Sequence, residues 1–425
     1  MEKIKINWDK ILNYSYYIAL VVLIIWLIIF RTEIWLHKAT FFHDEAALLI
    51  NIKEHSFLDL FKTLDNIQCC PAFFLIFNKV IYNIYGLNEV ALCFLPYIAG
   101  IFSIILIPFI SNKLFNRKVF SFLFLILFAY HPDATIASQT FKQYSTDILS
   151  TFLMISFFLY LKDKIKTNKH FLYTGLFFGL MGYFSFTSEF VIFPIFIYFI
   201  FHLIKEKNIK SIVLLSFPYL ILLGVEYFLL KGTYNSGIME WFNFPPIYNS
   251  IKDFYTTISY LVSHIGNQSL IFCLFILGII LLLTKDRLLA YITITPFCLN
   301  IFTQFLGIYP CPNIENNRII LYLMPLLIII ALKSFEIIYL FLKSKKLVNI
   351  VNCLILILSI SILCFIFRVH FLQHKIYIED KYYYFILTNV KEYIKHLDTH
   401  KVNQTDNIIV DKMGHRSFNL YSNNK

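Results

Sequence analysis

Apolar residues in this chain neither alternate nor fall on one helical stripe. They gather in continuous runs of about 20, the length an α-helix needs to cross the hydrocarbon core of a bilayer, separated by short charged connections. The runs predict spans at 13–31, 89–111, 118–131, 139–161, 171–186, 189–204, 211–230, 269–284, 288–307, 318–341 and 348–367. Lipid cannot satisfy backbone polar groups, so runs of this kind must be helices that close their own hydrogen bonds. The first run is too long and bulky for a signal peptide and no small-residue cleavage site follows it, so it reads as a retained span. The expected fold is an all-α polytopic membrane protein with about eleven transmembrane helices.

Alternate connections are basic: Lys3, Lys5 and Lys10; Lys113, Arg117 and Lys118; Lys162, Lys164, Lys166 and Lys169; Lys205, Lys207 and Lys210; Lys285 and Arg287; Lys343, Lys345 and Lys346. With eleven spans they all fall on one side, which places the N-terminus in the cytoplasm and the C-terminal tail outside. The opposite face then carries three long segments, 32–88, 231–268 and 368–425. These divide the chain into a transmembrane module at 1–230, a loop with the last spans at 231–367, and a tail at 368–425. In the first loop 44–55 and 57–64 read as short helices. Ala72 to Tyr85 is apolar but too short to cross, so it is expected to lie in the interface. The tail predicts a helix near 382–397, a strand at 407–410 and an ordered stretch at 417–421.

Composition removes several function classes. With 58% hydrophobic and 15% charged residues, against roughly 25% charged in a soluble domain, the chain is not a soluble enzyme. Its net charge of +11 follows the connections rather than one face, so no nucleic-acid partner is expected. The 8 cysteines show no metal-binding spacing. Cys69, Cys70 and Cys311 share one predicted aqueous side, which leaves a disulfide or, more blandly, inert thiols.

Three constellations could carry chemistry on the outer face. Asp44 and Glu45 open the amphipathic stretch FFHDEAALLINI; they are either functional carboxylates or first-turn acids favoured by a helix N-terminus. Gln139, Lys142, Gln143, Thr146 and Asp147 fall at i, i+3, i+4, i+7 and i+8 and predict one polar stripe at the entry to the fourth span. Polar groups at that depth face a cavity or a partner, and a structural Lys142–acid pair is the competing reading. YPCPNIENNRIILYLMP delivers Arg318 to the outer end of the tenth span, where the guanidinium either acts or reaches to headgroups. Glu189 and Glu226, near other outer ends, read as structural. A carboxylate can take the proton of an attacking hydroxyl, and a guanidinium or ammonium can neutralise a departing phosphate.

The stretch FFHDEAALLINIKEHSFLDLFKTLDN and the PAFFLIFNKVIYNIYGLNEVALCFLPYIAG segment after it resemble the N-terminal module of GT-C membrane glycosyltransferases. More narrowly they are similar to the branch of protein O-mannosyltransferases, lipid A aminoarabinose transferases and their bacterial relatives. The matching features are Asp44–Glu45, Pro71, Tyr85–Gly86 and Cys93-Phe94-Leu95-Pro96. Lys142, Tyr144 and Asp147 resemble the family's "KxYxxD" entry to the fourth span, and Tyr309, Pro310, Arg318 and Pro325 its later "YP…R…P" segment. Two departures stand out: Cys93-Phe94 replaces the usual Arg before Leu-Pro, and Pro-Pro is reduced to Cys70-Pro71.

The resemblance implies transfer of a sugar from a polyprenyl-phosphate carrier to a glycan, lipid or protein acceptor, with inversion, at the extracytoplasmic face of the plasma membrane. It implies Asp44 as general base supported by Glu45, Lys142 and Arg318 as phosphate ligands, and Tyr144, Gln143 and Asp147 in support, Asp147 orienting Lys142 or Tyr144. No cofactor is indicated by a motif, and a divalent cation stays an open option because relatives differ over it; the acidic pair alone predicts no tight metal site. A lipid-linked sugar flippase or transporter, and a polysaccharide polymerase or ligase, are the alternatives. Transporters concentrate charge and broken helices at the midplane, whereas the ionisable residues here sit near outer ends.

Overall fold

The structure, a computed structural model, describes residues 8–38, 41–66, 68–233, 268–306, 308–309 and 317–344, with residues 252 and 255. Among them every regular element is a helix. In chain order these are α1 (Trp8–Leu36), α2 (His43–Glu54), α3 (Ala72–Tyr85), α4 (Glu89–Leu92), α5 (Phe94–Leu114), α6 (Val119–Ala129), α7 (Pro132–Ala137) and α8 (Tyr144–Leu161). There follow α9 (Asn168–Phe184), α10 (Ser188–Lys205), α11 (Ile209–Thr233), α12 (Gln268–Lys285), α13 (Arg287–Phe305) and α14 (Met324–Ser344). Two 3₁₀ segments, Asp59–Phe61 and Asn317–Leu323, complete the order.

Of these, seven helices are long and apolar enough to cross a membrane, and Ala72–Tyr85, Val119–Ala129 and Cys273–Lys285 are shorter apolar helices. The protein is an all-α polytopic membrane protein. Large apolar side chains such as Phe102, Phe109, Phe201, Phe217 and Phe228 stand exposed on the outer helices, a surface that only lipid or a partner can cover. Each of the first ten expected spans overlaps a described helix, but those at 118–131, 171–186 and 269–284 fall on α6, α9 and α12, which are not among the seven; the eleventh, at 348–367, and the tail lie outside the described residues, as does most of 231–268.

Without a hydrophobic drive between helices in lipid, close packing depends on small residues at crossings. The sequence YTGLFFGLMGYF supplies them on α9. A Cβ on Gly175 would stand 2.2 Å from the backbone oxygen of Leu215, and one on Gly179 2.6 Å from the Leu222 side chain, both on α11. On α12, a Cβ at Gly278 would stand 2.7 Å from the backbone oxygen of Ile330 on α14. Side chains at i and i+4 share one helical face, so Gly175 and Gly179 make a flat track along which α11 lies.

One end of the bundle gathers the basic connections. Lys118 lies over the rings of Tyr16 and Tyr17, at 4.8 and 4.7 Å, Lys113 over Tyr160 at 5.0 Å and Arg117 over Tyr339 at 5.5 Å. Buried Glu336 accepts from the Asn116 backbone N–H and from Lys333, whose ammonium also donates to the Leu114 carbonyl at the end of α5. Asp44, Lys142 and Arg318 lie at the other end, next to the last turn of α1. There Arg31 ties α1 to the α6–α8 corner by donating to the carbonyls of Ala129 and Ala134 and to Ser138 Oγ, all within 2.8 Å.

Candidate functional site

Adjacent residues on a helix point about 100° apart, so the Asp44–Glu45 pair cannot present both carboxylates to one place. Glu45 turns inward: its side chain is 1% exposed and pairs with Lys38 at 2.8 Å. Its oxygens also accept from the Phe42 backbone N–H at 2.7 Å, the Glu half of a capping box at the start of α2, and from the backbone N–H of Phe141. One carboxylate thereby ties the end of α1, the start of α2 and the turn before α8 together. Asp44 points to the accessible side, with its side chain 34% exposed, and meets Arg318 Nη2 at 3.4 Å.

Arg318 arrives on the 3₁₀ segment before α14, and its guanidinium lies 5.5 Å from the centre of the Tyr144 ring. Tyr309 donates to the Ile319 carbonyl at 2.7 Å and packs edge-on against Phe190, which stacks on Tyr322. These contacts hold the segment against α10. Pro325, at the second position of α14, costs that helix no hydrogen bond.

The turn 138–143 places Lys142, and here the structure differs from the expected stripe. Helix α8 begins at Tyr144 rather than at 139, so Gln139 and Lys142 precede it. The Glu45 carboxylate captures the Phe141 N–H, and the Lys142 N–H bonds the Thr140 carbonyl, which leaves this stretch in a tight turn instead of a first helical turn. The Lys142 ammonium is buried and donates to Gln68 Oε1. Burial pushes its pKa below the ordinary lysine range, while the nearby Asp44 carboxylate pulls it back up. Gln143 accepts from Cys70 Sγ at 3.4 Å.

Gln68 itself is set by α2. Buried Asn51 donates to the Asp65 carbonyl at 3.1 Å and accepts the Asp65 N–H at 2.6 Å. Asn66 then takes a left-handed conformation, φ 59°, which asparagine tolerates better than most residues, and the chain turns back toward Lys142. The expected helix at 57–64 is only the 3₁₀ turn Asp59–Phe61, whose Asp59 caps and pairs locally with Ser56 and Lys62.

Asp147 does not reach Lys142 or Tyr144 through any described hydrogen bond. Its Oδ1 accepts from Ser185 Oγ at 2.6 Å, and Ser185 in turn meets Thr187 and Ser150. The residue expected to orient Lys142 therefore joins α8 to the α9–α10 corner. Cys69, Cys70 and Cys93 are free thiols; Cys311 and Pro310 fall outside the described residues. Burial raises the Cys69 thiol to about 12, against a smaller opposing pull from Lys142. No group of three metal-ligating side chains occurs among the described residues.

The site thus joins one accessible carboxylate, a guanidinium, an aromatic face and a buried ammonium. Residues 70–228 match the family model of dolichyl-phosphate-mannose-protein mannosyltransferases. No curated protein matches the chain. The matched segment runs from Cys70 into α11 and holds Lys142, Gln143, Tyr144 and Asp147. Asp44, Glu45 and Arg318 lie outside it and meet it in space. Lys38, Gln68 and Ser185 were not visible as partners in the sequence, since each is a single polar residue with no spacing signal.

Proposed function

We propose that this protein moves a sugar from a polyprenyl-phosphate carrier to an acceptor hydroxyl at the extracytoplasmic membrane face, with inversion at the anomeric carbon. The observation that carries the reading is the pairing of the accessible Asp44 with Arg318 beside Tyr144. In the unloaded protein Arg318 holds the Asp44 carboxylate at 3.4 Å. A donor phosphate entering here offers Arg318 a second anion to hold, which releases Asp44 to act.

In the transfer step the acceptor oxygen attacks the anomeric carbon as its proton passes to Asp44. The bond from that carbon to the phosphate oxygen breaks, its electron pair leaves on the polyprenyl phosphate, and Arg318 and Lys142 hold the departing charge. Tyr144 presents its ring to the guanidinium and fixes its direction. Glu45 sets the geometry through Lys38 and the 141 turn, and Gln68 orients the Lys142 ammonium. The flippase reading gains nothing from this arrangement, because the charged groups meet at one end of the bundle and not along a path through it.

The test is transfer of radiolabelled sugar from a panel of polyprenyl-phosphate sugars to endogenous acceptors in purified membranes. Asp44→Asn is expected to lower transfer by at least a hundredfold, in line with loss of a general base, while remaining folded and inserted. Arg318→Ala is expected to weaken donor use. An Asp44→Asn variant that transfers like wild type would sink the mechanism.

A further inference from the structure

Arg318 can grip a phosphate only if the 3₁₀ segment Asn317–Leu323 that carries it keeps its register along the bundle. A 3₁₀ ladder bonds each carbonyl to the N–H three residues on. For Tyr322 that partner would be Pro325, which has no N–H. Helix α8 takes the carbonyl instead: Thr151 Oγ1 donates to it at 3.0 Å, closer than to the Asp147 carbonyl of its own helix at 3.4 Å. A threonine inside a helix ordinarily bonds back to its own preceding turn, so here the bond across to the segment is the better made of the two.

The Tyr322 side chain is held from a different helix. It is 1% exposed, and its hydroxyl accepts from Asn300 Nδ2 on α13 at 2.8 Å. Asn300 Oδ1 accepts in turn from Gln304 Nε2 at 2.6 Å, which fixes the direction of the Asn300 amide. Asn300 and Gln304 stand one turn apart on α13 and are 0% and 3% exposed. Buried amides in a membrane span are costly unless they are hydrogen-bonded, and these two spend their donors on reaching Tyr322. The segment is thus fastened by its backbone to α8 and by its side chain to α13.

The spacing along α8 ties these contacts to the guanidinium. Thr151 follows Tyr144 by about two turns on the same helical face, roughly 10 Å along the axis. Tyr322 follows Arg318 by about 8 Å of 3₁₀ rise. The two lengths match, so a Tyr322 seated on Thr151 leaves the Arg318 guanidinium 5.5 Å from the centre of the Tyr144 ring and 3.4 Å from Asp44. We propose that Thr151, Tyr322 and Asn300 are positioning residues for Arg318, a register lock that holds the guanidinium where the donor phosphate is gripped; the role rests on the glycosyltransferase reading.

The experiment uses the full chain in phosphatidylcholine nanodiscs and titrates farnesyl phosphate against farnesol, which keeps the isoprenoid tail and removes the phosphate. The ratio of the two affinities reads the phosphate grip apart from any general loosening of the fold. Wild type is expected to prefer the phosphate. Thr151→Val and Tyr322→Phe should each cut that preference about fivefold, the effect of one buried hydrogen bond, and Asn300→Leu should match Tyr322→Phe. Thr151→Ser keeps the hydroxyl and should keep the wild-type ratio. Added to Arg318→Ala, none of these changes should lower the preference further, because the grip they position is already gone. A wild-type ratio in Thr151→Val or Tyr322→Phe, or an equal loss in the Arg318→Ala background, overturns the proposal. Should Tyr322→Phe fail to fold, Thr151→Val beside Thr151→Ser decides alone. A phosphate preference that these residues set, in a wild type that transfers no sugar from the polyprenyl-phosphate panel, supports the lock and removes only the transferase reading. A wild type without phosphate preference removes both.

Discussion

Replacing Glu45 by glutamine separates structural from chemical carboxylates at this site. The wild-type side chain is 1% exposed and its partner Lys38 4% exposed, so the substitution leaves a buried ammonium without its carboxylate. Breaking a buried pair from one side costs about 3–5 kcal/mol, and the backbone N–H groups of Phe42 and Phe141 also lose a charged acceptor. For a chain of this size such a loss corresponds to an apparent melting temperature lowered by roughly 3–6 °C. The Asp44–Arg318 pair is about one-third exposed on both sides, and Asp44→Asn should cost less than about 1 kcal/mol. The assay is thermal unfolding of the purified protein in nanodiscs, read by loss of a monodisperse size-exclusion peak, beside sugar transfer measured well below both transitions. Glu45→Gln should melt early and keep part of its transfer, whereas Asp44→Asn should melt like wild type and lose transfer. Lys38→Met with Glu45→Gln should recover part of the stability, since removing both charges relieves the stranded one. A Glu45→Gln protein that melts like wild type yet transfers nothing would refute the division of roles.

Two further outcomes follow from particular contacts. Gly175→Ala should abolish the folded monodisperse form or lower its melting temperature more than Gly224→Ala, because its Cβ would meet the Leu215 backbone at 2.2 Å while that of Gly224 meets nothing within 4 Å; equal effects would remove the close crossing of α9 and α11. Lys142 is charged below its depressed pKa and neutral above it, so donor affinity should fall on the alkaline side at lower pH than for an ordinary lysine. Lys142→Arg, whose charge persists, should move that limb upward; an unchanged limb would free Lys142 from phosphate binding.

The helices were legible because lipid imposes length and uniform hydrophobicity together, and α3, Ala72–Tyr85, was bounded correctly from its apolar length alone. The entry to the fourth span was not. Its pattern fits a helix from 139, but a carboxylate nearly a hundred residues earlier captures the Phe141 N–H, and no periodicity carries that contact. The same limit explains Asp147, placed by its spacing beside Lys142 and found bonded to Ser185 across a helix hairpin. Asp44, Lys142 and Arg318 stand out in the sequence as ionisable groups near predicted outer ends, a signal that burial cost makes strong, whereas Tyr144 enters only through the family resemblance. Which of Asp44 and Glu45 faces the open side depends on rotation of one short helix, and only packing fixes that.

Asp44 and Arg318 stand 274 residues apart in the chain, and that separation bears on biogenesis. A nascent chain displays the first carboxylate long before the ribosome has made the arginine that answers it. During that interval the half-built bundle lacks the Asp44–Arg318 pair, and on the proposed mechanism it could not transfer a carrier-linked sugar to water or to a stray hydroxyl. On the proposed mechanism, competence comes only when the 3₁₀ segment ahead of α14 docks against α8 and α10, which makes the final stages of membrane insertion a built-in safety catch.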